Sequence, residues 1–219
     1  MRTIEAEQGS PDWYAARCGK VTASKIADML ARTKSGWGAS RANYAAQLVA
    51  ERLTGTVTES YTNAAMQWGK VHEAEAIDAY TFYRDLPVTR IGFVMHPSID
   101  ESGASPDGLV GTDGLIECKC PLTNTHIETL LGSSVPAKYE AQMLWQMACT
   151  GRSWCDFVSY DPRMPESMRL FVRRMHRDDK RIAEIENEVR EFLREIGKTV
   201  SELRGIYEPG PMEMALAAG

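Results

Sequence analysis

Apolar residues recur every three or four positions from residue 11 to 83, alternate from 88 to 120, and return to helical spacing after 136. A chain whose hydrophobic period switches in this way cannot be a simple helix bundle or an all-β sandwich. Its first third reads as helices. Pro11 follows Ser10, a good N-cap. Thr22 or Ser24 can open a helix carrying Ile26, Met29 and Leu30 that runs to the Ser35-Gly36-Trp37-Gly38 break. Ser40 begins another, with Tyr44, Leu48, Val49 and Leu53 inward and Gly55 as its stop, and a third spans 64–83. Strands are expected at 88–95, 103–110 and 114–120, the last two joined by Gly111-Thr112-Asp113-Gly114, a hairpin signal. A helix over 136–150 follows, then strands at 154–160 and 168–176, then a helix over 178–203 with Ile182, Ile185, Val189, Phe192, Leu193 and Ile196 on one face. The expectation is an α/β (α+β) fold, a central mixed sheet flanked by helices. Residues 1–204 form one domain in this reading, and 205–219, with Pro209-Gly210-Pro211, form a flexible tail.

Several classes are excluded. No run of 18 apolar residues occurs, and the opening Met-Arg-Thr-Ile-Glu-Ala-Glu has no hydrophobic core of a secretion signal, so neither a membrane span nor export is expected. Five cysteines, none in a CxxC pair, read as structural thiols of a protein in a reducing cytoplasm. The four histidines share no ligand spacing and read as polar surface or strand residues. No Gly-x-x-x-x-Gly-Lys-Ser/Thr loop is present, so ATP hydrolysis is not implied. The formal charge of −5 argues at first against nucleic acid. Yet six cations against the single anion Asp28 give a local net of +5 between Arg17 and Arg41, leaving −10 for the remainder. That segment is either a solvated face or an anion-binding surface.

The chemistry concentrates in Ser105-Pro106-Asp107-Gly108 and Ile116-Glu117-Cys118-Lys119-Cys120. Glu117 and Lys119 leave the same face of a strand, about 7 Å apart, with Asp107 on the neighbouring strand of the hairpin. Two carboxylates and an ammonium are costly to desolvate together unless a cation lies between them. Hard divalent ions such as Mg²⁺ take such oxygen ligands, and a lysine beside them completes a metal-assisted phosphodiester hydrolase. The alternative is a turn aspartate and a solvated Glu/Lys pair. The preceding helix adds Glu73 on a stripe with Ile77 and Tyr80, either a further ligand or a salt-bridging glutamate.

Ser-Pro-Asp-Gly, Glu-x-Lys-Cys-Pro and the upstream Trp68-Gly69-Lys70-x-x-Glu73 together resemble the phage lambda exonuclease family, the YqaJ-type viral recombinases of the PD-(D/E)xK nuclease class. Glu7-Gln8-Gly9, Trp13, Arg17 with Gly19-Lys20-Val21-Thr22-Ala23-Ser24, Ala141-Gln142, and Tyr160-Asp161-Pro162-Arg163-Met164 resemble its other blocks, in order. The resemblance implies a restriction-endonuclease-like core with a helical amino-terminal segment. It implies two Mg²⁺ ions, replaceable by Mn²⁺, held by Asp107, Glu117 and the backbone carbonyl of Cys118, with Glu73 completing the site. Lys119 would position or deprotonate the attacking water, and Gln142 would lie beside the reactive phosphate. Arg17 and Ser24 would hold a terminal 5′-phosphate, Lys34 would contact DNA, and Met66 would wedge apart the terminal base pairs. The implied activity is 5′→3′ digestion of double-stranded DNA to mononucleotides, without ATP, leaving 3′ overhangs. A ring-shaped homotrimer and a phage-type single-strand annealing protein would be its partners. The other readings are an endonuclease of the same class and a DNA-end-binding protein without catalysis. The stretch after Cys120 is shorter than in the lambda protein and the tail differs, so the family's surface contacts are not carried over there.

Overall fold

The computed structural model describes residues 1–58 and 64–208. In chain order the elements are β1 (Arg2–Ile4), α1 (Pro11–Arg17), β2 (Val21–Thr22), a 3₁₀ turn (Ala23–Lys25), α2 (Ile26–Leu30), β3 (Arg32–Thr33), β4 (Gly36–Trp37), α3 (Ala39–Thr54) and α4 (Ala64–Arg84). Then come β5 (Val88–Thr89), β6 (Phe93–Met95), β7 (Ser102–Ala104), β8 (Gly108–Val110), β9 (Gly114–Lys119), α5 (Thr123–Gly132), α6 (Ala137–Thr150), β10 (Trp154–Tyr160), β11 (Leu170–His176) and α7 (Asp179–Tyr207). The main sheet runs β11-β10-β9-β8-β5, with β9 and β10 parallel and the other pairs antiparallel. A second sheet runs β1-β6-β7-β2. The expected mixed sheet with flanking helices is therefore present. Ser10, Gly55 and Gly151 cap as expected, whereas Thr22 makes no side-chain cap bond and Ser40 lies inside α3, whose N-cap is Gly38. The Ser10 hydroxyl accepts the Trp13 N–H, and α6 stops on Gly151 in the left-handed region (φ 72°).

Two expected strands are each broken in two. Residues 88–95 divide into β5 and β6, and residues 103–110 into β7 and β8, with the halves in different sheets. The alternation is real, but the chain crosses between sheets twice. At the first crossing a Cβ on Gly92 would stand 2.3 Å from the Ile4 carbonyl oxygen, so only glycine lets β1 approach there. At the second, Pro106 interrupts the ladder. The Gln8 side-chain amide ties both crossings, donating to the carbonyls of Ile91 (3.0 Å) and Pro106 (2.8 Å).

Other local expectations also change. The helix opened near Thr22 begins as the 3₁₀ turn and ends at Leu30, and the β3–β4 hairpin follows it. Leu53, expected inward, is exposed, and α5 had no expectation in the sequence. α7 extends one turn beyond residue 203 to Tyr207, and residues 209–219 lie outside the described residues. His96 and His126 are fully buried rather than polar surface groups. His96 stacks on Trp145, and His126 bridges the Ser159 hydroxyl (2.7 Å) and the Met168 carbonyl (2.8 Å).

Each face of the main sheet is covered. Ile116 and Cys118 of β9 join Ile77 and Tyr80 of α4, while Leu115 joins the larger core with Met143 and Met147 of α6. Glu117 and Lys119 share the Leu115 face, because side chains alternate along a strand. The two charged residues therefore project toward α6.

Three of the six cations between Arg17 and Arg41 are paired within the fold. Lys25 pairs with Asp28 (2.9 Å), Arg32 with Glu188 (2.9 Å), and the buried Arg41 with Glu195 (3.0 Å). Arg32 and Arg41 also sandwich the Trp37 ring at 3.7 and 3.8 Å. Glu188 and Glu195 belong to α7, so part of that helix's acid is counter-charge for this segment.

Candidate active site

Antiparallel pairing of Gly108 with Ile116 sets Asp107 opposite Glu117 where the ladder continues. The Cys118 backbone N–H donates to Asp107 Oδ2 at 2.6 Å, fixing that carboxylate over the strand. Glu117 is 1% exposed. Its Oε1 takes the Lys119 ammonium and the Gln142 side-chain amide (2.6 Å), and its Oε2 takes the Gln146 amide (2.5 Å). Lys119 also lies over the Tyr139 ring at 5.2 Å. Asp107, Glu117, Lys119 and Gln142 are thus brought to one place. Gln146 was missed: it stands in an apolar stretch of α6, and its only signal is its position one turn after Gln142 on the same face.

The electrostatics are those of a crowded acid pair. Burial, and then the charge of Glu117, push the Asp107 carboxyl well above the usual range, against the opposing pull of Lys119. Burial alone would lower the Lys119 ammonium, but the charges of Glu117 and Asp107 outweigh it and hold the group above its ordinary value. Burial pushes the Cys118 thiol well up and the Cys120 thiol to about 12, so both are protonated at neutral pH. What remains is two carboxylates against one ammonium, a set of hard oxygen donors that fits a divalent cation. Among the described residues no three His, Cys, Asp or Glu side chains form a ready-made cage. The protein side of such a site would be the two carboxylates and backbone oxygen.

Glu73 stands apart from this pair. It forms an ion pair with Arg90, although its charge is close enough to raise Asp107. Both residues line a cleft of about 840 Å³ with Lys70, Trp13 and Tyr14.

A second polar cluster sits on the same connector. The Ser105 hydroxyl oxygen accepts from the Arg17 guanidinium (3.1 Å) and the Trp13 indole (2.9 Å), and Arg17 lies on the Trp13 ring at 4.1 Å. Both lone pairs are engaged, and among the described residues the Ser105 hydroxyl proton has no acceptor, which suits it to an anion. Burial lowers the Arg17 guanidinium to about 10, which leaves it a cation at neutral pH. Ser24 is exposed in the 3₁₀ turn after β2. Parallel pairing of Thr22 with Gly103 carries Ser24 and Ser105 off the same end of β2 and β7. Ser105 was legible only as part of a turn motif. Lys34 stands at the exposed tip of the β3–β4 hairpin, and the Met66 side chain lies outside the described residues.

The geometry is matched by comparison with known proteins. The chain is similar to the alkaline exonuclease LHK-Exo of Laribacter hongkongensis, with 51% identity over 89% of this chain and 96% of that one, at a TM-score of 0.83. The same enzyme in complex with dAMP gives a TM-score of 0.84. A phage-related exonuclease of Haemophilus somnus 129PT, 18% identical over 84% of this chain and 96% of that one, shares the fold at a TM-score of 0.65. Comparison with curated proteins gives no match. A family model spans residues 12–153, from α1 through both clusters to the start of β10, and the chain belongs to that family, the YqaJ-like viral recombinase domain.

Proposed function

We propose that the protein is a Mg²⁺-dependent, ATP-independent exonuclease that degrades double-stranded DNA in the 5′→3′ direction. It releases mononucleotides and leaves 3′ single-stranded overhangs. The observation that carries this reading is the buried Glu117 carboxylate, held by Lys119 and Gln142 and faced by the destabilised Asp107. A nuclease needs such an acid pair, and a purely structural strand has no use for it.

In this reading Asp107, Glu117 and the Cys118 carbonyl would hold two Mg²⁺ ions, with Mn²⁺ as a substitute. Divalent cations there polarise the scissile phosphate and lower the pKa of water. Lys119, charged and confined, orients the attacking water and offsets charge developing on the phosphate. Gln142 places its amide beside the same phosphate. Arg17, Ser105 and Ser24 bind the 5′-terminal phosphate, a guanidinium with hydroxyl donors suited to a phosphate group. Lys34 contacts the duplex and Met66 separates its end. The cleft beside Glu73 and Arg90 receives the strand being cut. Glu73, paired with Arg90, would complete the site through the metal or its water. A ring-shaped homotrimer and a phage-type single-strand annealing protein that takes up the overhang complete the assignment. No helix among the described residues is long and apolar enough to cross a membrane, and a cytoplasmic setting accords with protonated, unpaired cysteines.

The test is digestion of a linear 5′-phosphorylated duplex and of the same DNA as a closed circle, with Mg²⁺ and with EDTA. The proposal expects loss of the linear form alone, and only with Mg²⁺. Nicking of the circle would establish an endonuclease instead, and binding without degradation a DNA-end-binding protein.

A further inference from the structure

Gln146 carries no role in the assignment above, yet it is fully buried and its amide spans two buried groups. Its Nε2 donates to Glu117 Oε2 at 2.5 Å, and its Oε1 faces the Cys155 thiol at 3.9 Å. Glu117 Oε1 already has two donors, Lys119 and Gln142. A carboxylate offers about four acceptor positions, so among the described residues Oε2 keeps one free. We infer that Gln146 is a positioning residue for the metal site: its amide fixes the plane of the Glu117 carboxylate so that the free lone pair of Oε2 is presented to the cation. Cys155 acts one step further out. Burial holds its thiol protonated, so it donates to the Gln146 carbonyl. The reversed amide would set that oxygen against the Glu117 carboxylate and leave the thiol without an acceptor. Cys155 and Glu117 together therefore select one amide orientation. The arrangement is a chain from β10 through α6 to β9, Cys155 to Gln146 to Glu117, built from fully buried groups.

This inference rests on the metal-nuclease reading, and its test separates the two. Mn²⁺ alone is titrated into DNA-free protein by calorimetry, for wild type, Gln146→Met, Cys155→Ala and Cys155→Ser. Gln146→Met keeps the volume and removes the donor, and outer partners of metal ligands typically govern affinity by about 10- to 100-fold. The expected result is Mn²⁺ binding weaker by about that factor. With the exonuclease assay, the Mn²⁺ concentration for half-maximal rate should rise by more than the rate at saturating Mn²⁺ falls. A packing role alone would lower thermal stability without moving the Mn²⁺ affinity of the folded protein. Should Gln146→Met fail to fold, the Cys155 pair decides: Cys155→Ala weakens Mn²⁺ binding, and Cys155→Ser, which retains a donor, restores it. Wild-type affinity in Gln146→Met, or in Cys155→Ala where Gln146→Met is unfolded, overturns the inference. If wild type itself binds no Mn²⁺, the metal-nuclease reading fails and the inference falls with it.

Discussion

Replacing Asp107 with asparagine should stabilise the metal-free protein while abolishing cleavage. Asp107 stands opposite Glu117 in the continued register of β8 and β9. Directly opposed Cβ atoms lie 4.5–5.5 Å apart, which places the carboxylates at about 6 Å. Two unit charges at that distance repel by about 3 kcal/mol at an effective dielectric constant of 20. Lys119 offsets part of this, but Asp107 remains well above its ordinary value, so burial and repulsion win. An asparagine can still accept the Cys118 N–H and carries no charge. A gain of about 1–2 kcal/mol is expected, of the size common when a functional group in a destabilised site is removed. The assay is urea unfolding followed by circular dichroism at pH 8.5 in EDTA. The carboxyl of the unfolded chain ionises above about 3.8 while the folded one resists. The advantage of Asp107→Asn should therefore be absent below about 3.8, grow as pH rises from there toward the raised value, and level off above it. Mg²⁺ should reverse the order. At 100 times its Kd it adds about 2.7 kcal/mol to wild type and much less to the variant. A variant less stable than wild type in EDTA at pH 8.5 would refute the reasoning, because the carboxylate would then be favourable without a cation.

Arg17→Ala and Ser105→Ala should each reduce the preference for 5′-phosphate over 5′-hydroxyl ends by about tenfold, the scale of one charge-assisted hydrogen bond. Equal losses on both ends would remove the phosphate site. Burial alone would raise the Asp161 carboxyl, but hydrogen bonds from Arg163 hold it at about 2. Asp161→Asn should therefore cost about 2 kcal/mol at neutral pH, and the urea midpoints of the two proteins should converge as pH falls from about 4 to about 2. A constant gap would disprove the linkage. Gly114→Ala places a Cβ 2.1 Å from the Trp154 ring, which Arg174 covers at 3.4 Å on β11. A loss of about 2–3 kcal/mol is expected from forced repacking, and a thermal midpoint within one degree of wild type would contradict it.

What the sequence made legible follows from how local each signal is. The bounds of α6 lie in neighbouring residues, Pro136 and Gly151, and the Glu117–Lys119 pair follows from strand alternation. The sheet crossings at Gly92 and Pro106 were hidden because alternation continues across a break when both halves are half-buried strands. The partners of the basic run were hidden for the opposite reason. Its counter-charges, Glu188 and Glu195, lie about 155 residues away on α7, beyond the reach of any window. Gln146 was hidden by its own burial, since an amide among Met143, Leu144, Trp145 and Met147 reads as core. Ser105 was overlooked because serine before Pro-Asp-Gly already has an adequate explanation as a turn.

The break between β7 and β8 has a consequence for measurement. Ser105, which would grip the end phosphate, and Asp107, which would grip the cutting metal, hang from one link with Pro106 between them. Two peptide units span at most about 7 Å, so the two jaws cannot drift apart as side chains change. On the proposed function the link is a caliper, and the size of each released product is set by covalent geometry rather than by the depth of a pocket. Inserting or deleting a residue in the link would change that gauge directly.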